Sequence, residues 1–197
     1  MVQQLGSNTF GTAKWIVSAT ASNGTHTTIG TAITAASSGD TIFIRPGTYT
    51  ENLTLKAGVN LAAYECDAFS GQVTIVGKCS FSAAGQVGMS GIRLQTNGDY
   101  ALEVSGSAAS TIFMNECQVV TTNSTAINFT SSSASASINL YYCLITSNTN
   151  LMYTSSSAGT LNLFWCGIGG NSGSPNTASA GAVQIYNCYS ANAFSFS

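Results

Sequence analysis

Among the carboxylates in the middle of this sequence are Asp67, Asp99, Glu103 and Glu116, with Arg93 and Gln95 between them. Carboxyl pairs can do acid–base work when two of them flank one scissile bond within about 10 Å. Asp99 and Glu103 are the pair whose spacing allows this. An exposed acidic pair beside a turn is ordinarily surface charge, and the other carboxylates fall on separate segments. The one histidine, His26, reads as a cap or surface residue. Six cysteines are present, but no C-x-x-C pair and no nearby histidine accompanies them, so a zinc site is not expected. No catalytic residue, metal or cofactor is expected from these residues alone.

The elements that must carry these side chains are visible as a repeat. Ile112, Met114, Cys117 and Val119 form one row, and Ile138, Leu140, Cys143 and Ile145 the next. Leu161, Leu163, Cys166 and Ile168 follow, then Val183, Ile185, Cys188 and Ser190. Val87, Met89, Ile92 and Leu94 fit with the cysteine replaced, and Val59, Leu61 and Tyr64 more loosely. A second alternating segment precedes each row, marked by Leu53/Leu55, Cys79/Phe81, Leu102/Val104, Ile127/Phe129 and Met152. Stretches such as TSSSASA and TSSSAGT separate the two. Period-two alternation means strand, and a fixed period of short strands means stacked coils. The fold class expected is all-β, a parallel β-helix of about five or six coils.

Stacking also decides the cysteines. In-register parallel side chains keep their Cβ atoms about 4.8 Å apart, beyond the roughly 3.5–4.5 Å a disulfide needs. Cys117, Cys143, Cys166 and Cys188 are therefore expected as a core ladder of free thiols, small and apolar.

Composition narrows the partners. Charged residues are 6% of the 197, hydrophobic ones 44%, and the net charge is −2. All Lys and Arg lie at or before Arg93, and nothing ionisable of the Asp, Glu, Lys, Arg or His kinds follows Glu116. Without a basic cluster, nucleic acid is not an expected partner. The opening MVQQLGSNTFGTAKW has neither the basic nor the apolar region of a secretion signal. No apolar run approaches the length of a membrane span, and membrane insertion is not expected.

The stretch THTTIGTAITAASSGDTIFIRPGTYTENLTLKAGVNLAAY has a different texture. Ile29, Ala32, Ile33 and Ala36 line one face of a short helix, expected at about 27–37. Thr41–Ile44 reads as a strand and RPGTY as a turn. Asp40 is expected to hold its turn through backbone bonds, and Arg45 and Glu51 to pair across the PGTY turn. This stretch resembles the entry to the pectin-lyase-like superfamily of right-handed parallel β-helices, whose members include pectin methylesterases. The resemblance covers residues 25–64 and implies a right-handed solenoid plugged by the helix. The domain organisation that follows is an N-terminal arm at 1–24 and a β-helix domain at 25–197. It also implies that Asp67, Asp99, Arg93 and Gln95 are the positions to test for polysaccharide chemistry. The family strings around its catalytic residues, QDT, FG(N/D) and GRPW, are absent here, so a non-enzymatic protein is expected.

If Leu140 and Cys143 point inward, the residues between and beside them point out. The last coils then carry Tyr141, Tyr142, Leu144, Phe164, Trp165, Tyr186 and Tyr189 on one side, with Tyr142 and Asn187 at the bend. Earlier coils hold Ser90, Gly91, Asn115 and Glu116 there instead. A contiguous apolar patch marks an interface: with copies of the chain, as a trimer, or with another protein. A stacking surface for sugar rings is the other reading. The charge-poor, Ser/Thr/Asn/Gly-rich chain is similar to phage tail spike and fibre β-helices. The function expected is thus a structural protein of a virus particle, a tail fibre, spike or decoration in contact with host glycans. It would be located on the virion, or else on an extracellular surface. The alternative is a carbohydrate-binding or carbohydrate-active β-helix protein of the pectin lyase or esterase kind.

Overall fold

The computed structural model describes residues 15–20, 23–64, 73–98, 100–122, 125–147, 154–170 and 177–190. Short strands wind into about six turns of a right-handed parallel β-helix with three walls. The first wall is built from β1 (Trp15–Val17), β2 (Thr41–Ile44), β5 (Asn60–Ala63), β8 (Gly85–Ser90), β11 (Ser110–Asn115) and β14 (Ser137–Tyr141). The second wall holds β3 (Gly47–Thr50), β6 (Val73–Val76), β9 (Arg93–Thr96), β12 (Gln118–Thr121), β15 (Leu144–Ser147), β17 (Gly167–Gly170) and β19 (Tyr189–Ser190). The third holds β4 (Leu53–Thr54), β7 (Cys79–Phe81), β10 (Leu102–Val104) and β13 (Ile127–Phe129). Two long strands, β16 (Thr154–Phe164) and β18 (Thr177–Tyr186), run from the third wall into the first and join them into one sheet.

Every pairing between these strands is parallel, so like residues stack on like. One inward row runs Ile42, Leu61, Met89, Met114, Leu140, Leu163, all buried. A second runs Ile75, Leu94, Val119, Ile145, Ile168, and a third Leu53, Cys79, Leu102, Ile127. The hydrophobic effect sets the register: a slip of one residue would turn each apolar row out to solvent. Residues 157–159 of the TSSSAGT stretch form no break between strands. They lie within β16, with Gly159 buried, because a residue lacking a side chain can pass beneath the Phe129 ring. Met152 lies outside the described residues.

The helix α1 (Ile29–Ala35) buries Ile29, Ala32 and Ile33 against the first turn. Of the residues expected as an arm, Trp15–Val17 pair with β2 in the sheet. The N-cap Thr28 makes no side-chain capping bond. Glu51 does that work from the neighbouring coil, accepting from the amides of Ile29 (2.8 Å) and Gly30 (2.9 Å). Lys56 donates to the carbonyls of Thr34 and Ala36 at the other end. The charges match the helix dipole at both ends. Glu51 therefore serves the helix rather than Arg45, whose guanidinium lies 4.8 Å over the Tyr64 ring. The Asp40 carboxylate accepts from the Ser37 amide and the Trp15 indole, each at 2.8 Å. Replacing Glu51 with alanine is expected to cost about 1–2 kcal/mol, read as a lower urea midpoint with unchanged slope. Glu51→Gln, which keeps one acceptor oxygen, should cost less.

Candidate functional site

Strand register places the outward side chains of the first wall in columns. One column runs Phe43, Ala62, Ser90, Asn115, Tyr141, Phe164, Tyr186. The neighbouring one includes Thr41, Asn60, Phe113, Asn139, Asn162 and Gln184. Between Phe43 and Tyr141 the first column carries only short side chains. The gap spans four rungs, roughly 19 Å at about 4.8 Å per rung. A groove of about 310 Å³ lies there, floored by Asn60, Ala62, Gly88, Ser90 and Asn115 and bounded by Phe113 and Tyr141. The Asn60 amide oxygen is taken by the Gly88 amide at 2.8 Å, which leaves its NH2 group to donate outward. Among the described residues, no ionisable side chain of the Asp, Glu, Lys, Arg or His kinds lines this groove.

Where the first wall turns into the second, each of the last five coils spends one residue in the left-handed region. These are Gly91 (φ 68°), Glu116 (52°), Tyr142 (53°), Trp165 (53°) and Asn187 (52°). The register carries unchanged through the corner: Asn115 pairs with Tyr141 before it and Gln118 with Leu144 after it. The corner amides stay in the ladder, as with Tyr142 N–H to Phe164 O (3.0 Å) and Trp165 N–H to Tyr186 O (2.9 Å). Glycine and asparagine take this conformation readily, whereas a bulky residue there costs about 1–2 kcal/mol.

The aromatic residues of the last coils form two stacks. Tyr141, Phe164 and Tyr186 have ring centroids 4.8 and 4.9 Å apart, with planes within 7° and 5° of parallel. Tyr142 and Trp165 stack at 5.2 Å and 8°. Rings packed this way cover one another's faces and present their edges to solvent. Among the described residues, the ring faces without a stacked aromatic neighbour include Tyr141 toward Asn115, Tyr142 toward Glu116 and Trp165 toward Asn187. Tyr142 and Trp165 are about half exposed, at 48% and 50%, and Tyr189 is 75% exposed. Leu144 is half-buried, its Cδ1 lying 3.1 Å from where a Cβ on Gly167 would be. The stripe is thus a pair of stacks seen edge-on.

Beneath the corner lies the thiol file. Cys117, Cys143 and Cys166 are buried and Cys188 half-buried, all as free thiols. The thiols donate to backbone carbonyls, Cys143 to Tyr141 O at 3.2 Å and Cys166 to Leu140 O at 3.4 Å. Hydrogen bonding between the Cys143 thiol and the Cys117 sulfur, which favours the protonated thiol, is the main cause pushing Cys143 up to about 12. Burial pushes Cys79 up to about 12.

The charged candidates are dispersed. Glu103 lies on the third wall, held by Lys78 at 2.9 Å and by the Asn128 amide at 3.1 Å. Arg93 Nε donates to Gln95 Oε1 at 3.1 Å on the second wall. Glu116 stands exposed at the corner, next in sequence to the groove residue Asn115. Asp67 and Asp99 lie outside the described residues. The Asp99–Glu103 pair is therefore represented by Glu103 alone, engaged in an ion pair away from the groove. His26 is half-buried beside Trp15, with ring centroids 5.3 Å apart.

No family model matches the sequence, and no curated protein does. Solved structures do match. A pectin methylesterase in complex with a hexasaccharide superposes with a TM-score of 0.65 at 15% identity, over 89% of this chain and 66% of that one. The deglycosylated pectin methylesterase from Aspergillus niger superposes with a TM-score of 0.52 at 15% identity, over 91% and 86%. These structures share the parallel β-helix fold of this chain. The chain spans just under two thirds of the length of the first of these neighbours.

Two expectations are corrected by these likenesses. The solved structures that superpose on this chain are pectin methylesterases, so the reading as a structural protein of a virus particle is overturned. The same likeness overturns the expectation that the chain is non-enzymatic, which rested on missing motif strings. Composition misled because low charge and abundant Ser, Thr and Asn describe what a surface is made of, not what it meets. The groove itself was missed in the sequence. Its signal was available as the short residues Ala62, Ser90 and Asn115 between Phe43 and Tyr141, readable only once the register is known.

Proposed function

We propose that this chain is a carbohydrate-active β-helix protein that takes a polysaccharide strand along the outer face of the first wall. The observation that carries the reading is the end of the aromatic stack. Tyr141 closes the groove with a face on which no other described ring stacks, above a floor of Ser90, Asn60 and Asn115. A sugar ring presents C–H bonds to such a face, where the negative π cloud meets their positive ends. Hydroxyl and amide groups on the floor can then bond its hydroxyls. The groove runs along several rungs, which suits an oligomer rather than a single sugar. At its rim, Glu116 is the described carboxylate available for proton transfer, with Arg93 and Gln95 on the adjoining wall to bind a carbonyl oxygen. The neighbouring pectin methylesterase structure with a bound hexasaccharide supports a polymer of the pectin type as the first to try.

The test is titration with pectin oligosaccharides alongside an assay of methanol release. Tyr141→Ser is expected to weaken binding about tenfold, the equivalent of about 1.4 kcal/mol. Glu116→Gln should keep binding and lose turnover. If the native protein neither binds nor alters pectin or related polysaccharides, the proposal fails.

A further inference from the structure

The corner column raises a separate question. Gly91 and Asn187 take the left-handed conformation at little cost, yet two successive coils place Tyr142 and Trp165 there. Strain of this kind is retained where a side chain is needed in that place. Among the described residues, Trp165 stacks on Tyr142 on one side and meets Phe164 at a 40° tilt, 6.2 Å between centroids. On its other side the next coil offers Asn187, an exposed amide. On the second wall, Tyr189 pairs with Gly167, so a wide-open phenol stands beside a position with no side chain. An indole face, an amide and a phenol thus stand at neighbouring positions of the corner and the second wall. Nothing charged follows Glu116 in the sequence.

We infer that this corner is a second carbohydrate site, for an uncharged sugar ring stacked on Trp165 and hydrogen-bonded by Asn187 and Tyr189. An aromatic face suits the C–H side of a pyranose, while the amide and phenol supply a donor and an acceptor for its hydroxyls. Without a cation or an anion nearby, neither a sugar acid nor an amino sugar gains a charge partner. The site lies across the corner from the groove and uses a different ring, so it does not depend on the groove's role. It would let the protein hold a polymer at a second point and raise its retention on a surface.

The chain has two tryptophans, and the other, Trp15, is fixed by its bond to Asp40. Their indole N–H signals therefore supply a reporter and an internal control. Titrating the intact chain with neutral gluco-, galacto-, manno- and xylo-oligosaccharides at millimolar concentration should move the Trp165 signal and leave Trp15 in place. Trp165→Asn puts a residue suited to the left-handed conformation at the corner. It should keep or raise the thermal midpoint while weakening binding at this site at least tenfold. Tyr141→Ser should leave the Trp165 response intact, which separates failure here from failure in the groove. The inference is overturned if no oligosaccharide moves the Trp165 signal, or if Trp165→Asn binds as well as the native chain. It is equally overturned if the signal moves with protein concentration alone and Trp165→Asn abolishes that self-association, since the corner would then be a protein interface.

Discussion

Replacing Gly159 with alanine is expected to lower the unfolding free energy by about 1–3 kcal/mol, and replacing it with valine by more. A Cβ at this position would lie 2.7 Å from Phe129 Cε1, closer still to Phe129 Cζ, and 3.0 Å from the Ala136 carbonyl oxygen. Neither neighbour can yield easily. Phe129 is fully buried, one rung above Val104, which in turn stacks on Phe81. The Ala136 oxygen is held by the Thr160 amide at 3.0 Å. Interiors packed to this density do not absorb an extra carbon without moving side chains off their rotamers. Phe129→Leu alone should also destabilise, since it leaves space where the ring was. In the Gly159→Ala background the same change should cost much less, because the added methyl uses that space. Chemical denaturation of the four proteins gives the coupling, expected in the range of about 0.5–3 kcal/mol. A coupling of zero would mean that the ring is not what the glycine accommodates.

That position marks the limit of what could be read in the residues. The rows ending in Cys117, Cys143, Cys166 and Cys188 carried the coil period, and the same spacing recurs on both sides of the corner. A pattern of alternation reports which side chains point inward, but a glycine has none to report. TSSSAGT therefore looked like a spacer, although its glycine is buried within β16. The role of Glu51 was hidden for another reason. Its partners Ile29 and Gly30 are more than twenty positions away and come beside it only when the first coil closes. Membership of the aromatic stripe was legible from the alternation around Leu140 and Cys143. Which faces remain open was not, because that depends on the short side chains of Asn115 and Asn187 on the adjacent rungs. The groove has the same origin: it is an absence of bulk in one column, and columns exist only after strands are paired.

The buried thiols make the fold sensitive to alkali in a way that can be measured. Cys79 and Cys143 are each pushed up to about 12 in the folded chain, while a thiol in an unfolded chain ionises near 8.5. Burial raises Cys188 and the Tyr49 phenol as well. Raised folded values mean that the unfolded chain releases its protons first. Stability from these groups is therefore complete below about pH 8.5 and is lost as the pH climbs toward 12. The expected slope is about 1.4 kcal/mol per pH unit for each such thiol within that window. Urea unfolding at a series of pH values should show a plateau followed by this decline. Cys143→Ala should start from a lower plateau, because it removes a packed sulfur, yet fall less steeply, because one titrating group is gone. A plateau that persists with no decline through pH 11 would contradict the buried placement of these thiols. In the same window, a thiol reagent added to the native protein should reach the half-buried Cys188 before Cys79, Cys143 or Cys166. Such an order follows from the file of sulfurs lying inside the corner and opening to solvent only at its last coil.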